Sequence, residues 1–316
     1  QWARLLTERG VGRETVVASC VPRSVDSVVL LLAIMRAGGI WQPLDPAYPD
    51  ERIGRLLRDS GASLVLCPGK EGGRFDIPVL AVDAPDTASL LARAAAEPAG
   101  PCGADAGAYI IHTSGSTGRP KGVLVSHAGI AGLAQEYAVY GIAPGSIVMQ
   151  FASHSFDGAL WEMGACLLAG ATMLMADDGE RLLGADFRAL LSRCTHAALT
   201  PATVLALGAD AIPDGIALIL AGEAFPTRLI DELAGRVRLF NVYGPTETTT
   251  DVTHHQVRLD DTEPVPIGRP SPGKEVLVLD EFLSPVPVGV VGELYVGGRS
   301  LARGYLRRAG LTSSRF

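Results

Sequence analysis

Residues 108–122 read AYIIHTSGSTGRPKG. Ala108 to Thr113 form an apolar, β-branched run with the length and composition of a buried strand. The ten residues from Thr113 to Gly122 then change character, to glycine, hydroxyl side chains and one lysine. Gly115 and Gly118 let a backbone approach phosphate oxygens closely, and Ser114, Ser116 and Thr117 add hydroxyl donors. Lys121 contributes a point charge. A strand that delivers such a loop predicts an open α/β sheet with a polyanion cradle at a strand end. A Walker loop requires GxxxxGK[ST]. Counted from Gly115, its second glycine falls on Pro120 and Lys121 is followed by Gly122, so that loop class is excluded.

Working outward, short aliphatic strands alternate with helical segments: VVASC before a helix near Ser24 to Ala37, SLVLC after Glu51 to Ser60, then SIVMQF, TMLMA, AALT, ALILAG and RLFNVY. Fully apolar strands are what a sheet covered by helices on both faces requires. Residues 84–103 are rich in Ala, Pro and Gly and read as a surface connection. From about Val265 the pattern shifts to β segments, KEVLVLD and GELYVGG, separated by turns such as PVPVG. The division predicted is about 1–264 for the α/β sheets and about 265–305 for a small β-rich subdomain.

With 316 residues, a large core is available. The net charge of −7, with both signs interspersed, argues against nucleic acid as a partner. The five cysteines form no CxxC pair, which points to buried thiols in a reducing cytoplasm and away from zinc. The apolar run from Ser27 to Met35 is well short of the roughly 20 residues that span a bilayer, so no membrane association is expected.

The decapeptide Thr113–Gly122 resembles the signature loop of the adenylate-forming (AMP-binding) superfamily, and further blocks resemble its nonribosomal peptide synthetase adenylation domains in order and spacing. RAGGIWQPLDPAYPDERI (36–53) resembles an early structural motif; NVYGPTETT (241–249) resembles the adenine-site motif; AGEAFP (221–226) resembles a turn along the adenine and substrate walls; GELYVGGRSLARGYLRRAGLTSSRF (292–316) resembles the last block before a hinge. The fold the resemblance implies is a large layered α/β N-terminal core with helix-covered sheets and a small β-rich, distorted-barrel subdomain near its C-terminus.

The resemblance also implies site residues. ATP would lie against Thr113, Ser114, Gly115, Ser116, Thr117, Gly118 and Lys121, and against Gly222, Glu223, Asn241, Tyr243, Gly244 and Thr246. Tyr243 would stack on adenine, Thr246 would contact phosphate and Glu247 would hold Mg²⁺, so that Lys121, Thr246 and Glu247 are the catalytic candidates. An aromatic face suits a base, and a carboxylate suits magnesium. FDGALWEM (156–163) points to an amino acid: Asp157 opens a helix on an apolar face, where an unpaired carboxylate is costly, and a substrate α-ammonium would satisfy it. The pocket implied comprises Asp157, Gly158, Trp161, Ala198, Ile219, Ala221, Val242, Thr250 and Asp251.

Asp251 places a second carboxylate at the side-chain end, for which a cationic side chain is the natural partner, with Trp161 available for cation–π stacking. The substrate expected is therefore basic, arginine-like or a cyclised guanidino amino acid such as capreomycidine, with serine-like or glutamine-like polar substrates behind it; the alternative is that Asp251 points to solvent or pairs with a protein group such as His254. The activity implied is ATP-dependent aminoacyl adenylate formation, with the acyl group passed to the phosphopantetheine of a peptidyl carrier domain and with a small MbtH-like accessory protein admitted as a partner. The competing readings are an acyl-CoA or aryl-acid ligase and a non-catalytic amino-acid-binding module. The sequence opens at Gln1 and stops at Phe316, before the hinge and the lysine-bearing C-terminal subdomain the resemblance would require, so the expectation for this stretch alone is binding with poor adenylation.

Overall fold

The computed structural model describes residues 1–94, 102–114, 119–176 and 184–316. Its first sheet takes strands β1 (Val16–Ser19), β2 (Ile40–Pro43), β3 (Leu64–Cys67), β4 (Val79–Ala81), β5 (Gly107–Thr113) and β6 (Lys121–Ser126). Its second takes β7 (Ile147–Gln150), β8 (Thr172–Met175), β9 (His196–Leu199), β10 (Ala217–Ala221), β11 (Arg238–Tyr243), β12 (Thr253–Gln256) and β13 (Arg269–Pro270). Strands β14 (Glu275–Leu279) and β15 (Glu293–Gly297) form a small antiparallel sheet, and β16 (Gly304–Tyr305) returns to the first. The orders are β16-β6-β5-β2-β1-β3-β4 and β13-β12-β11-β10-β9-β7-β8, parallel except at the β16-β6-β5 and β13-β12-β11 edges. The chain is thus the layered α/β protein its strand pattern predicts. The 265–305 stretch supplies the small sheet and an edge strand to each large one.

The period-two alternation of the strands sorts side chains into separate cores. In the first sheet Val17, Leu64, Leu66, Tyr109 and Ile111 point to one face, and Val16, Ala18, Val65, Cys67 and Ile110 to the other. In the second, Ala197, Leu199, Leu218, Leu220 and Leu239 line one core, and Val148, Ala217, Ile219, Phe240 and Val242 the opposite one. The helix Asp157–Ala169 lies between the sheets. Leu160 and Met163 pack into the core of the first, and Trp161 and Ala165 into the core of the second.

Local sequence explains the helix boundaries. Ser24 and Ser27 close a reciprocal capping box at the start of Val25–Arg36. The helix His127–Tyr140 ends on Gly141, whose φ of 75° is a left-handed C-terminal stop. Within the 84–103 stretch read as a connection, Pro85–Arg93 is helical, with Pro85 at the first turn and Leu91 against the first core, while 95–101 lie outside the described residues. The early motif is structural, as expected. The Trp41 indole donates to Ser19 Oγ at 2.7 Å, and Gln42 and Ser60 share a buried 2.6 Å bond. No helix among the described residues is long and apolar enough to cross a membrane.

Candidate functional site

The site forms where β5 and β6 of the first sheet face the end of β11 in the second. Lys121 is the first residue of β6, paired with Thr113 at the end of β5. Glu247 sits in the short 3-10 turn Thr246–Thr248 after β11. The Lys121 ammonium donates to Glu247 Oε1 at 2.7 Å and to Tyr305 Oη at 2.9 Å, and the Tyr305 phenol donates to the same Glu247 oxygen at 2.7 Å. Lys121 also rides over the Tyr305 ring, 4.2 Å from its centroid. Burial opposes ionisation of Glu247, but the bonds from Lys121 and Tyr305 outweigh it and hold this carboxyl below its ordinary range. Burial likewise works against the charge on Lys121, and Glu247 and Tyr305 reverse it, so the ammonium is held above its usual range.

These groups open into a cleft of about 900 Å³ that is also lined by Ser114, Tyr243, Arg308 and Arg315. Tyr243 is 41% exposed, so a ring face is offered to the cleft. The donor set fits a nucleotide triphosphate with magnesium: a carboxylate held ionised, hydroxyls, several cations and an aromatic face. Gly244 permits the tight return of the chain, since a Cβ there would run into the Thr250 carbonyl.

Other candidates fall as follows. Thr246 donates its hydroxyl to the Asp157 carboxylate, so in this structure it joins the nucleotide cleft to the amino-acid pocket. Asn241 gives its amide to the Pro266 carbonyl at 2.9 Å, latching β11 to the following segment. Glu223 Oε2 accepts from Ala202 N at 2.9 Å and caps the helix Pro201–Leu207, while Gly222 turns beside it at a φ of 85°. Gly115, Ser116, Thr117 and Gly118 lie outside the described residues.

The pocket residues come together. Ala198, Ile219 and Phe240 are register partners across β9, β10 and β11, as are Ala221 and Val242. With Trp161 they form one cluster on one face of the sheet. On β9 it is Ala198 that shares the face of Ile219 and Phe240, because Ala197 and Leu199 face the opposite core. Asp157 and Trp161, four residues apart on one helix, share a face, with Gly158 beside them. Asp157 is half-buried, and burial raises its pKa against the bonds from Thr246 and the backbone.

Asp251 is buried and has a protein partner of its own. The Tyr140 phenol donates to Asp251 Oδ2 at 2.8 Å. Burial still dominates and raises the Asp251 pKa, with Tyr140 and the nearby Lys274 opposing it and Asp157 adding to it. Two buried polar atoms of the implied pocket, Trp161 Nε1 and Thr250 Oγ1, have no hydrogen-bond partner among the described residues. His154 is half-buried, its ring centroid 6.4 Å from that of Trp41, and desolvation pushes its pKa down to about 4, which keeps it neutral near pH 7.

Sequence reasoning missed Tyr305, Tyr140, Glu136 and Lys274. Tyr305 lies in a block matched only as a whole. Glu136 carried a usable signal: a lone carboxylate among Leu133, Tyr137 and Tyr140 at core-facing helical spacing, all of them buried.

With the geometry in place, comparison with known proteins agrees with it. The chain belongs to the AMP-binding enzyme family, which matches residues 1–306. Within that family it is an adenylation core of the nonribosomal peptide synthetase kind. It is 40% identical over 98% of its length to the probable non-canonical nonribosomal peptide synthetase CymA of Salinispora arenicola, of which it spans 4%. It is 39% identical over 99% of its length to novobiocin biosynthesis protein H of Streptomyces niveus, of which it spans 54%. Among solved structures, the N-terminal subdomain of Klebsiella oxytoca NpsA bound to 3-hydroxybenzoyl-AMSN superposes with a TM-score of 0.87 at 27% identity. That match covers all of this chain and 80% of that one.

Proposed function

We propose that the chain selects an amino acid and activates it with ATP as the aminoacyl adenylate in nonribosomal peptide synthesis, and that the amino acid is basic, of the arginine or cyclised-guanidino class. The observation that carries this reading is the pair Asp157 and Asp251. Both carboxylates would serve one pocket, Asp157 near enough to raise the Asp251 pKa, one on the helix that opens it and one beyond the apolar wall. An α-ammonium at Asp157 and a side-chain donor at Asp251 answer both. Among the described residues Asp251 takes one side-chain hydrogen bond, from Tyr140, which leaves acceptor capacity for a substrate donor. Trp161 offers its ring to a planar cation.

In the reaction, a substrate carboxylate oxygen bonds to the α-phosphorus of ATP while the bond from that phosphorus to the pyrophosphate oxygen breaks. Both reactants are anionic, so rate depends on neutralisation and alignment. Lys121 supplies a cation at the cleft, and Tyr243 a stacking face. Glu247 would hold magnesium, whose role is to neutralise phosphate charge; Lys121 and Tyr305 keep its carboxylate ionised for that purpose. A carrier-domain phosphopantetheine thiol would then take the acyl group.

Pyrophosphate exchange by the full-length enzyme across an amino-acid panel, alongside their des-amino analogues, tests the reading. Arginine-like substrates should lead the panel, and Asp157→Asn should raise the amino-acid KM about 10- to 100-fold, the scale of a lost charge-assisted bond. A preference for Leu or Phe overturns the substrate class, and turnover of des-amino acids in place of amino acids overturns amino-acid activation in favour of an aryl- or acyl-acid ligase.

A further inference from the structure

Behind Asp251 lies a charged cluster that neither the nucleotide cleft nor the pocket lining includes. Lys274 and Glu136 have side chains only 1% exposed, with Lys274 Nζ 3.2 Å from Glu136 Oε1. The ammonium spends its protons mainly on backbone, donating to the Thr248 carbonyl at 2.8 Å and the Thr249 carbonyl at 3.2 Å. Neither Glu136 oxygen receives a hydrogen bond from any described residue, so the pair is ionic contact without the bonds that normally satisfy a buried carboxylate.

The backbone that Lys274 grips is unusual. Thr249 and Thr250, both β-branched, have φ of 58° and 61°, in the left-handed region such residues avoid. Two consecutive residues in that region persist only when their surroundings hold them there. The Thr249 hydroxyl adds a 2.6 Å bond to the Ser300 carbonyl, but the carbonyls of the turn depend on Lys274. The next residue is Asp251. Charges close the argument: Glu136 and Asp251 are two carboxylates within each other's field, with Lys274 as the one ammonium shared between them. Burial raises both carboxyl pKa values, that of Glu136 more, so a negative charge in excess of Lys274 appears at the side-chain end of the pocket only as the pH rises far enough to ionise Glu136 as well as Asp251.

We propose that the buried pair Lys274–Glu136 is a specificity-determining device: it clamps the left-handed turn so that Asp251 faces the substrate side chain, and once Glu136 ionises it adds a negative charge that a cationic side chain completes. Lys274 and Glu136 are positioning residues; they do not touch substrate. The inference rests on the reading of Asp251 as the side-chain reader. The groups that face the cluster are Glu136, Tyr137 and Tyr140 from one helix, Asp157 from the next, Tyr109 from β5, His254 against the Tyr140 ring, and Lys274 itself.

Three variants of the full-length enzyme test this: Asp251→Asn, the double change Glu136→Leu with Lys274→Met, and the milder Glu136→Gln, which keeps shape and removes charge. Their melting temperatures confirm folding, and pyrophosphate exchange gives KM separately for amino acid and ATP. The double variant should raise the amino-acid KM at least 10-fold with a change under threefold in the KM for ATP, and should reduce the preference for arginine-like over apolar substrates. For the parent enzyme, affinity for a cationic side chain should rise as pH increases through the range where Glu136 and Asp251 give up a shared proton, and Glu136→Gln should flatten that rise.

A changed preference in Asp251→Asn with none in the other two variants overturns the clamp and leaves the reading of Asp251 standing. An unchanged preference in Asp251→Asn overturns that reading and the clamp with it. Equal rises in both KM values for the double variant show a turn held for the sake of Glu247 alone, which overturns the specificity role.

Discussion

Two places in the molecule use the same chemical parts to opposite effect. At the nucleotide cleft a carboxylate, Glu247, meets a lysine and a tyrosine, Lys121 and Tyr305; at the far end of the pocket Asp251 and Glu136 meet Lys274 and Tyr140. The first pair is about one-fifth exposed and bonded directly at 2.7 Å, and its carboxyl pKa is lowered. The second ion pair is 1% exposed, its lysine spends protons on backbone carbonyls, and both carboxyl pKa values are raised. What decides the outcome is therefore where the ammonium puts its protons and how much water remains. A carboxylate kept ionised suits a metal and phosphate; carboxylates kept short of partners suit the recognition of a donor. Only three residues, Thr248 to Thr250, separate Glu247 from Asp251, so a single turn serves both tasks.

The sharpest way to break the comparison is at the cleft. Lys121→Met should lower kcat/KM for ATP in pyrophosphate exchange by about 10²- to 10³-fold, the usual loss when a preorganised charge is removed from a transition state of phosphoryl chemistry. It should also let the Glu247 pKa climb, since burial then acts with only Tyr305 and the Glu247 backbone N–H against it. Because a depressed carboxyl is ionised above its folded pKa and loses its charge as pH falls through it, the acid limb of the rate profile should move to higher pH. An unmoved limb would show that Glu247 owes its ionisation to something other than Lys121.

How much of this was readable in advance follows from which interactions are local. The strand-to-loop transition at Thr113, the helix start at Asp157 and the alternation that places Ile219, Ala221 and Val242 on one face are encoded within a few residues of themselves. The sheet order and the wiring behind the pocket are not. Tyr140 and Asp251 stand 111 positions apart, Lys121 and Tyr305 184 apart, and no periodicity links such partners. Lys274 opens a stretch whose pattern marks only a strand, and its burial depends on how that strand's approach meets the helix His127–Tyr140. The motif match of Glu223 implies a contribution largely through its backbone, and its carboxylate is engaged at the helix start after Thr200.

The two phenols provide a matched pair that sharpens the comparison at smaller effects. Tyr140→Phe removes the one side-chain hydrogen bond to Asp251 in a buried setting, so the amino-acid KM should rise about 10-fold, equivalent to the ~1.4 kcal/mol scale of a bond to a charged group. The Asp251 pKa, already raised by burial, should rise further. Binding that requires its ionised form should then set in at higher pH, a shift visible in the pH profile of affinity.

Tyr305→Phe should do least. Glu247 keeps its 2.7 Å bond from Lys121, and the phenylalanine ring preserves both the face under Lys121, whose centroid lies 4.2 Å away, and the edge contact with Phe316. What is lost is one of two donors to a carboxylate that water reaches, a loss solvent largely replaces, so the KM for ATP should change less than threefold. Measured side by side, the two substitutions separate donor chemistry from environment: the same hydroxyl is deleted twice, once beside a directly bonded lysine and once where the lysine is occupied elsewhere. A Tyr305→Phe effect as large as that of Tyr140→Phe would mean that the phenol, rather than Lys121, governs Glu247, and the contrast between the cleft and the pocket floor would then rest on tyrosine placement alone.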